Sequence, residues 1–201
     1  MCKADVFERQ TQAIDKDFLP IWQNNTFTYK KADYALSFSN THPDIQPVYQ
    51  EFQKQAVARH LSQMDDRYTG DLAMLAGVEV KRSGGNGQDA QAQLFLWLAA
   101  GITSLRLLRT CRKEGSYATK RLPLVGWTVV GHVWEIYIAV ERDACSVSGA
   151  VDIIGPISGA HGDTRTIEGV FKLIKLVKVV KQYGQNLYWP WLKHELIDVL
   201  S

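Results

Sequence analysis

Apolar and polar residues alternate with period two over residues 31–38, where Ala32, Tyr34, Leu36 and Phe38 are separated by Asp33, Ala35 and Ser37. That period predicts a strand with one apolar face and, on the other, an acid among small neighbours that leave space above it. A second strand is predicted over 72–81, an apolar run that ends in Glu79-Val80-Lys81. Successive strand residues point to opposite faces, so Val78 and Val80 turn to the core while Glu79 and Lys81 share the other side. After a break at 83–87 the period becomes helical over 89–108, through Ala90, Gln93, Leu94, Trp97, Leu98, Gly101, Leu105 and Leu108. Strands follow at 122–130 and 134–140, predicted to form a hairpin around Gly131-His132, with a third in 145–154. Helices are predicted over 3–14, over 48–63 with Phe52, Ala56 and Leu61 inward, over 167–183 and over 191–200. Gly184 and Pro190 are expected to split the last two.

The chain has 201 residues, 46% of them hydrophobic, which suits one domain around one core, with a short leader at 1–17. It carries 23 basic and 21 acidic residues, a net charge of +2, so binding to a polyanion has to come from a local patch. Arg106, Arg109, Arg112 and Lys113, near the end of the 89–108 helix, form one candidate for phosphate contacts; ordinary helix-end charge explains them equally well. Lys172, Lys175, Lys178 and Lys181 advance around the next helix and suit a solvated face. Cys2, Cys111 and Cys145 are odd in number and far apart, which fits neither a disulfide framework nor a zinc site and suggests reduced thiols. With no apolar leader and no spanning stretch, an intracellular place, nucleus or cytoplasm, is expected.

Hydrolysis of a phosphodiester needs an activated water, neutralisation of charge on the phosphoryl oxygens and help for the leaving oxygen, all of which a divalent cation can supply. Magnesium takes oxygen ligands and often only one or two carboxylates. If the first two strands are neighbours, Asp33 and Glu79 would be those ligands, with the Val80 carbonyl a further oxygen. Lys81 stands one pleat beyond Glu79 on the same face, placed to orient water or stabilise developing charge. Gln93 lies one helical turn before Trp97 and can reach the strand ends with a neutral amide. The plain alternatives are a solvated strand edge for Glu79 and Lys81, a solvated amide for Gln93 and, preferred for Trp97, core packing. His132 and Trp134 suit structural roles at the hairpin, one hydrogen-bonded and one buried.

Asp33 in its Lys-Ala-Asp-Tyr-Ala-Leu strand, Glu79-Val80-Lys81 and Gln93-Leu-Phe-Leu-Trp97 resemble the Asp, Glu-x-Lys and Gln-x-x-x-aromatic motifs of the PD-(D/E)XK nuclease superfamily. Gly131-His132-Val133-Trp134 and Tyr188-Trp189-Pro190-Trp191 resemble landmarks of a fungal nuclease-like domain of that kind. The resemblance covers roughly residues 18–195. It implies an α/β (α+β) fold with a restriction-endonuclease-like core, a mixed central β-sheet flanked by helices. It also implies DNA or RNA as substrate, and magnesium, or manganese in its place, as cofactor; a homodimer stays open. Asp33, Glu79, Lys81 and Gln93 would carry the chemistry. The chain departs from many relatives at Gln91, where an acid is common, and in its short leader containing Glu8. Asp71 is an alternative acid closer in sequence, but on one extended strand it would sit about 26 Å from Glu79. The loop Gly85-Asn86-Gly87-Gln88-Asp89-Ala90 matches a dinucleotide fingerprint, yet the strand before it ends in charges and no suitable acid follows a second strand. A nuclease-like module that binds nucleic acid or a protein without turnover is the rival function.

Overall fold

The computed structural model describes residues 4–8, 13–19, 32–54, 60–110, 121–142 and 150–200. Seven strands form one mixed sheet: β1 (Ala4–Glu8), β2 (Tyr34–Phe38), β3 (Met74–Lys81), β4 (Leu124–Val130), β5 (Val133–Glu141) and β6 (Val151–Ile154) lie side by side, and β7 (His161–Asp163) also pairs with β5. All neighbours are antiparallel except β3 and β4. Parallel neighbours need a crossover, and α3 (Gly87–Thr110) supplies it. The other helices are α1 (Gln46–Lys54), a short α2 (Arg67–Gly70), α4 (Ile167–Tyr183) and α5 (Trp189–Leu200). This is the mixed sheet flanked by helices that the sequence motifs imply. Among the described residues no helix is long and apolar enough to cross a membrane.

Each face of the sheet has its own cover. On the Glu79 face, β3 and β4 present Gly77 and Gly126, and α3 descends onto them. A Cβ at Gly77 would stand 2.7 Å from the Trp97 ring, and one at Gly126 2.7 Å from Leu94. The indole of Trp97 thus fills the place above Gly77, the residue that pairs with Ala35 of β2. On the opposite face the Phe38 ring lies parallel to Tyr188 and tilted against Trp189, whose ring also meets Tyr49 edge-on, so α1 and α5 close over β2. The Tyr49 hydroxyl donates to the Phe38 carbonyl (3.0 Å) and accepts from the Ala73 N–H (2.9 Å). Tyr188 donates to the Met74 carbonyl at 3.0 Å, bracing the start of β3 from 114 residues away.

Several elements differ from their sequence expectations. Residues 4–8 are a strand, not part of a helix, because pairing with β2 from Ala4↔Phe38 to Glu8↔Tyr34 outweighs a weak local helical pattern. The helix expected over 48–63 starts earlier, at Gln46, with Pro47 in its first turn, and is described to Lys54; Ala56 lies outside the described residues. Leu61 and Ser62 are not helical: both donate backbone bonds to the Gly70 carbonyl, at 2.7 and 2.9 Å. The third strand of the hairpin region is described over Val151–Ile154 only. β7 carries no hydrophobic pattern and exists through its pairing with Val133–Glu135. Gly184 and Pro190 do not split the last helix. Gly184 is helical, a π-turn over Gly184–Tyr188 runs into α5, and Pro190 is the second residue of α5, directly after that π-turn. Glycine is required at 184 by close approach, since a Cβ there would be 2.5 Å from Leu75.

Candidate active site

The antiparallel register between β2 and β3 aligns Tyr34 with Val78. One step further it sets Asp33, which lies just before β2, opposite Glu79 on the α3-covered face. The ladder ends there, and the Asp33 side chain takes over its last bond: Oδ2 accepts from the Val80 N–H at 2.8 Å. In a strand the N–H and C=O of one residue leave on the same side, so the Val80 carbonyl also turns to the β2 edge, beyond the end of the β2 ladder. Glu79 is 1% exposed, shielded beside Thr128 of β4, which is also buried.

Lys81 joins the cluster from the next pleat. Its ammonium donates to Glu79 Oε1 at 2.6 Å and to Gln93 Oε1 at 3.0 Å. Gln93 and Trp97, one turn apart on α3, both hang over β3: the amide holds the lysine and the fully buried indole fills the place of a side chain at Gly77. Asp33, Glu79, Lys81 and Gln93 are thus brought together as the sequence spacing predicts, and Trp97 has its expected place in the core.

The second carboxylate oxygen, Glu79 Oε2, is buried without a hydrogen-bond partner. Leaving a buried carboxylate oxygen unpaired is costly, and the usual remedies are a proton or a cation. Burial pushes the Glu79 carboxyl above its ordinary value of 4.5, and the Asp33 charge pushes the same way; the Lys81 bond only partly offsets them. The donor set suits a hard divalent cation: two carboxylates and one backbone carbonyl, with water to complete the shell. Among the described residues no group of three or more His, Cys, Asp or Glu stands together, so those two acids would be the charged ligands.

A stability test follows from the raised Glu79 value. Below the unfolded value of 4.5 both states hold the proton and the burial penalty is absent; as pH rises from there through the higher folded value, the unfolded state ionises first and the folded state loses stability relative to it. Glu79→Gln is therefore expected to raise the urea midpoint at pH 7.5 and to change it little at pH 4. For a chain of this length each kcal/mol corresponds to about 2–4 °C in Tm. A midpoint at pH 7.5 lower than wild type would show that the Lys81 pairing outweighs the desolvation.

Other expected participants lie elsewhere. Arg106 and Arg109 stand on α3 about 20 and 24 Å beyond Gln93 along the helix axis. Arg109 is paired with Glu141 of β5, which Arg121 also approaches at 3.6 Å. Arg112 and Lys113, like the three cysteines, lie outside the described residues. Asp71 follows α2 and accepts from Gln53 Nε2 at 3.1 Å. His132 Nδ1 shares a 2.8 Å hydrogen bond with Thr164 Oγ1, and Trp134 is half-buried against the core. β4, the strand after the glycine loop, ends in Val129-Val130 before Gly131 and offers no ribose-binding acid.

The sequence patterns did not reveal a second polar group, on the other flank of α3. Gln91 and Gln93 are two residues apart on the helix and point to opposite sides. Gln91 Nε2 donates to the Tyr137 hydroxyl (2.8 Å), which donates to Glu135 Oε2 (3.1 Å). The alternation of Glu135 and Tyr137 along β5 was its one available signal.

In comparisons with known proteins, a family model described as the PD-(D/E)XK nuclease superfamily matches residues 2–189. No curated protein and no solved structure matches the chain.

Proposed function

The chain belongs to the PD-(D/E)XK nuclease superfamily, and from that premise we propose that it hydrolyses phosphodiester bonds of DNA or RNA with a divalent cation, magnesium or manganese. The observation that carries this is the unpartnered, buried Glu79 Oε2 in a cluster with Asp33, Lys81 and Gln93. Asp33, Glu79 and the Val80 carbonyl would hold the cation, which when bound supplies a water of lowered pKa and polarises the phosphoryl group. Lys81 contributes a fixed positive charge beside the place where negative charge develops. Gln93 keeps that ammonium from swinging into solvent by accepting a hydrogen bond from it. The bond between Asp33 and the Val80 N–H holds the β2 end against β3, so the two acids remain opposed.

A binding module without turnover is the second reading. The 2.6 Å pairing of Lys81 with Glu79 favours it, since a carboxylate already neutralised by an ammonium attracts a cation less strongly. The test is cleavage of labelled single- and double-stranded DNA and RNA in magnesium, manganese or EDTA. Metal-dependent cutting supports the enzyme; folded protein that binds but cuts none of these substrates supports the module.

Asp33→Asn separates ligand from scaffold. Its amide oxygen can still accept from the Val80 N–H, so folding is expected to hold while manganese affinity, by calorimetry, falls at least tenfold. Unchanged affinity would remove Asp33 from the ligand set.

A further inference from the structure

The outer face of α4 carries Ile167, Val170, Ile174 and Val177, exposed by 79, 38, 58 and 43%, with Phe171 beside them at 65%. Their spacing of three, four and three residues is that of the a and d positions of a two-helix seam. Leu173 and Val180, on the flank next to this stripe, are already buried in the fold. A single exposed apolar residue is ordinary, but a contiguous stripe over three turns marks a surface that another molecule covers.

Charge narrows the choice of partner. Lys172, Lys175, Lys178 and Lys181 run along the same helix, and its one acid, Glu168, is engaged by Lys172 at 2.8 Å. Among the described residues the other three lysines have no acidic partner. Lys178 takes an e position bordering the seam, where a partner helix presents its own flanking charges. A second copy meeting this face about a two-fold axis would bring its own four lysines and single acid to the same contact. A lipid surface takes up a broad apolar face, whereas the exposed stripe of α4 has the width of a two-helix seam because Leu173 and Val180 beside it are buried in the fold.

We propose that α4 docks a helix of a different protein, one with an apolar seam edged by aspartate or glutamate. The apolar side chains give the contact its energy, and the lysines select an acidic partner and its register.

The test uses the full chain and two fluorescent synthetic helices. Both have leucine and isoleucine at a and d, one with glutamate and one with lysine at e and g. The acidic helix is expected to raise fluorescence anisotropy on binding and to weaken with salt. Ile174→Glu and Phe171→Glu, at exposed positions and checked for unchanged melting, should each reduce its affinity at least tenfold, and the basic helix should not bind. Absence of binding by the acidic helix, or equal binding of the two, overturns the proposal. So does a dimer in light scattering that Ile174→Glu dissociates, which would assign the face to a second copy. Flotation with phosphatidylserine vesicles that the same substitution abolishes would assign it to lipid and overturn the proposal as well.

Discussion

Lys81→Ala is expected to slow phosphodiester cleavage about 10²- to 10³-fold, the cost typical of removing one fixed electrostatic group from a site, while manganese affinity is unchanged or rises. The two effects separate because Lys81 touches Glu79 Oε1 and Gln93 but belongs to no plausible ligand set. Removing a cation next to a carboxylate does not weaken metal binding; it frees the carboxylate. Single-turnover rates at saturating substrate, set beside calorimetric metal titrations, measure both quantities on one preparation. Equal rates for wild type and variant would exclude the lysine from the chemistry, and lost metal affinity would show that its pairing instead preforms the site. Lys81→Arg is expected to recover little, because a planar guanidinium cannot take the place of a compact ammonium held by an amide on one side and a carboxylate on the other.

Trp97→Ala is expected to cost about 3–5 kcal/mol in urea unfolding, the range for a fully buried large aromatic. Trp97 is 0% exposed and occupies the space that Gly77 leaves on β3, so no neighbouring side chain can fill the hole. Trp97→Phe should be far milder, about 1 kcal/mol, because the indole Nε1 is buried without a hydrogen-bond partner and its removal relieves an unsatisfied donor. If the phenylalanine variant proved as unstable as the alanine one, the Nε1 group would have to be paying its way through a contact other than packing. Since Gln93 stands one turn from Trp97, the alanine variant is also expected to loosen Lys81 and lower cleavage at temperatures where the fold survives.

The motif residues were legible because each depended on a short-range regularity. Period two put Glu79 and Lys81 on one face of their strand, and period 3.6 set Gln93 one turn from Trp97; the same period turned Val80 to the core, whereas Val80 is exposed and Glu79 is buried, because α3 covers the face that carries the charges. What could not be read was the partner of each element. Residues 4–8 became a strand through five pairs with β2, and His161–Asp163 through three pairs with β5, contacts to which the local sequence is blind. Gly184 and Pro190 carry strong local signals for a break, and both were overridden: Gly184 was answering to Leu75 across the core, and Pro190 is the second residue of the helix that runs on from the π-turn. Gln91 showed the same limit at the site. Two residues from Gln93 in sequence, it serves the opposite flank, with Tyr137 and Glu135.

The bracing of β3 by Tyr188 has a consequence for the order in which a ribosome delivers this chain. By the time Trp97 emerges, Asp33, Glu79, Lys81 and Gln93 are all outside the tunnel. β4, the parallel neighbour that shields Glu79, has yet to appear, and the hydroxyl that anchors Met74 is still some ninety residues from release. The strand that carries Glu79 and Lys81 is thus secured at its start and along its flank by segments synthesised well after it, so its final setting has to wait for residues 124–130 and then for residue 188.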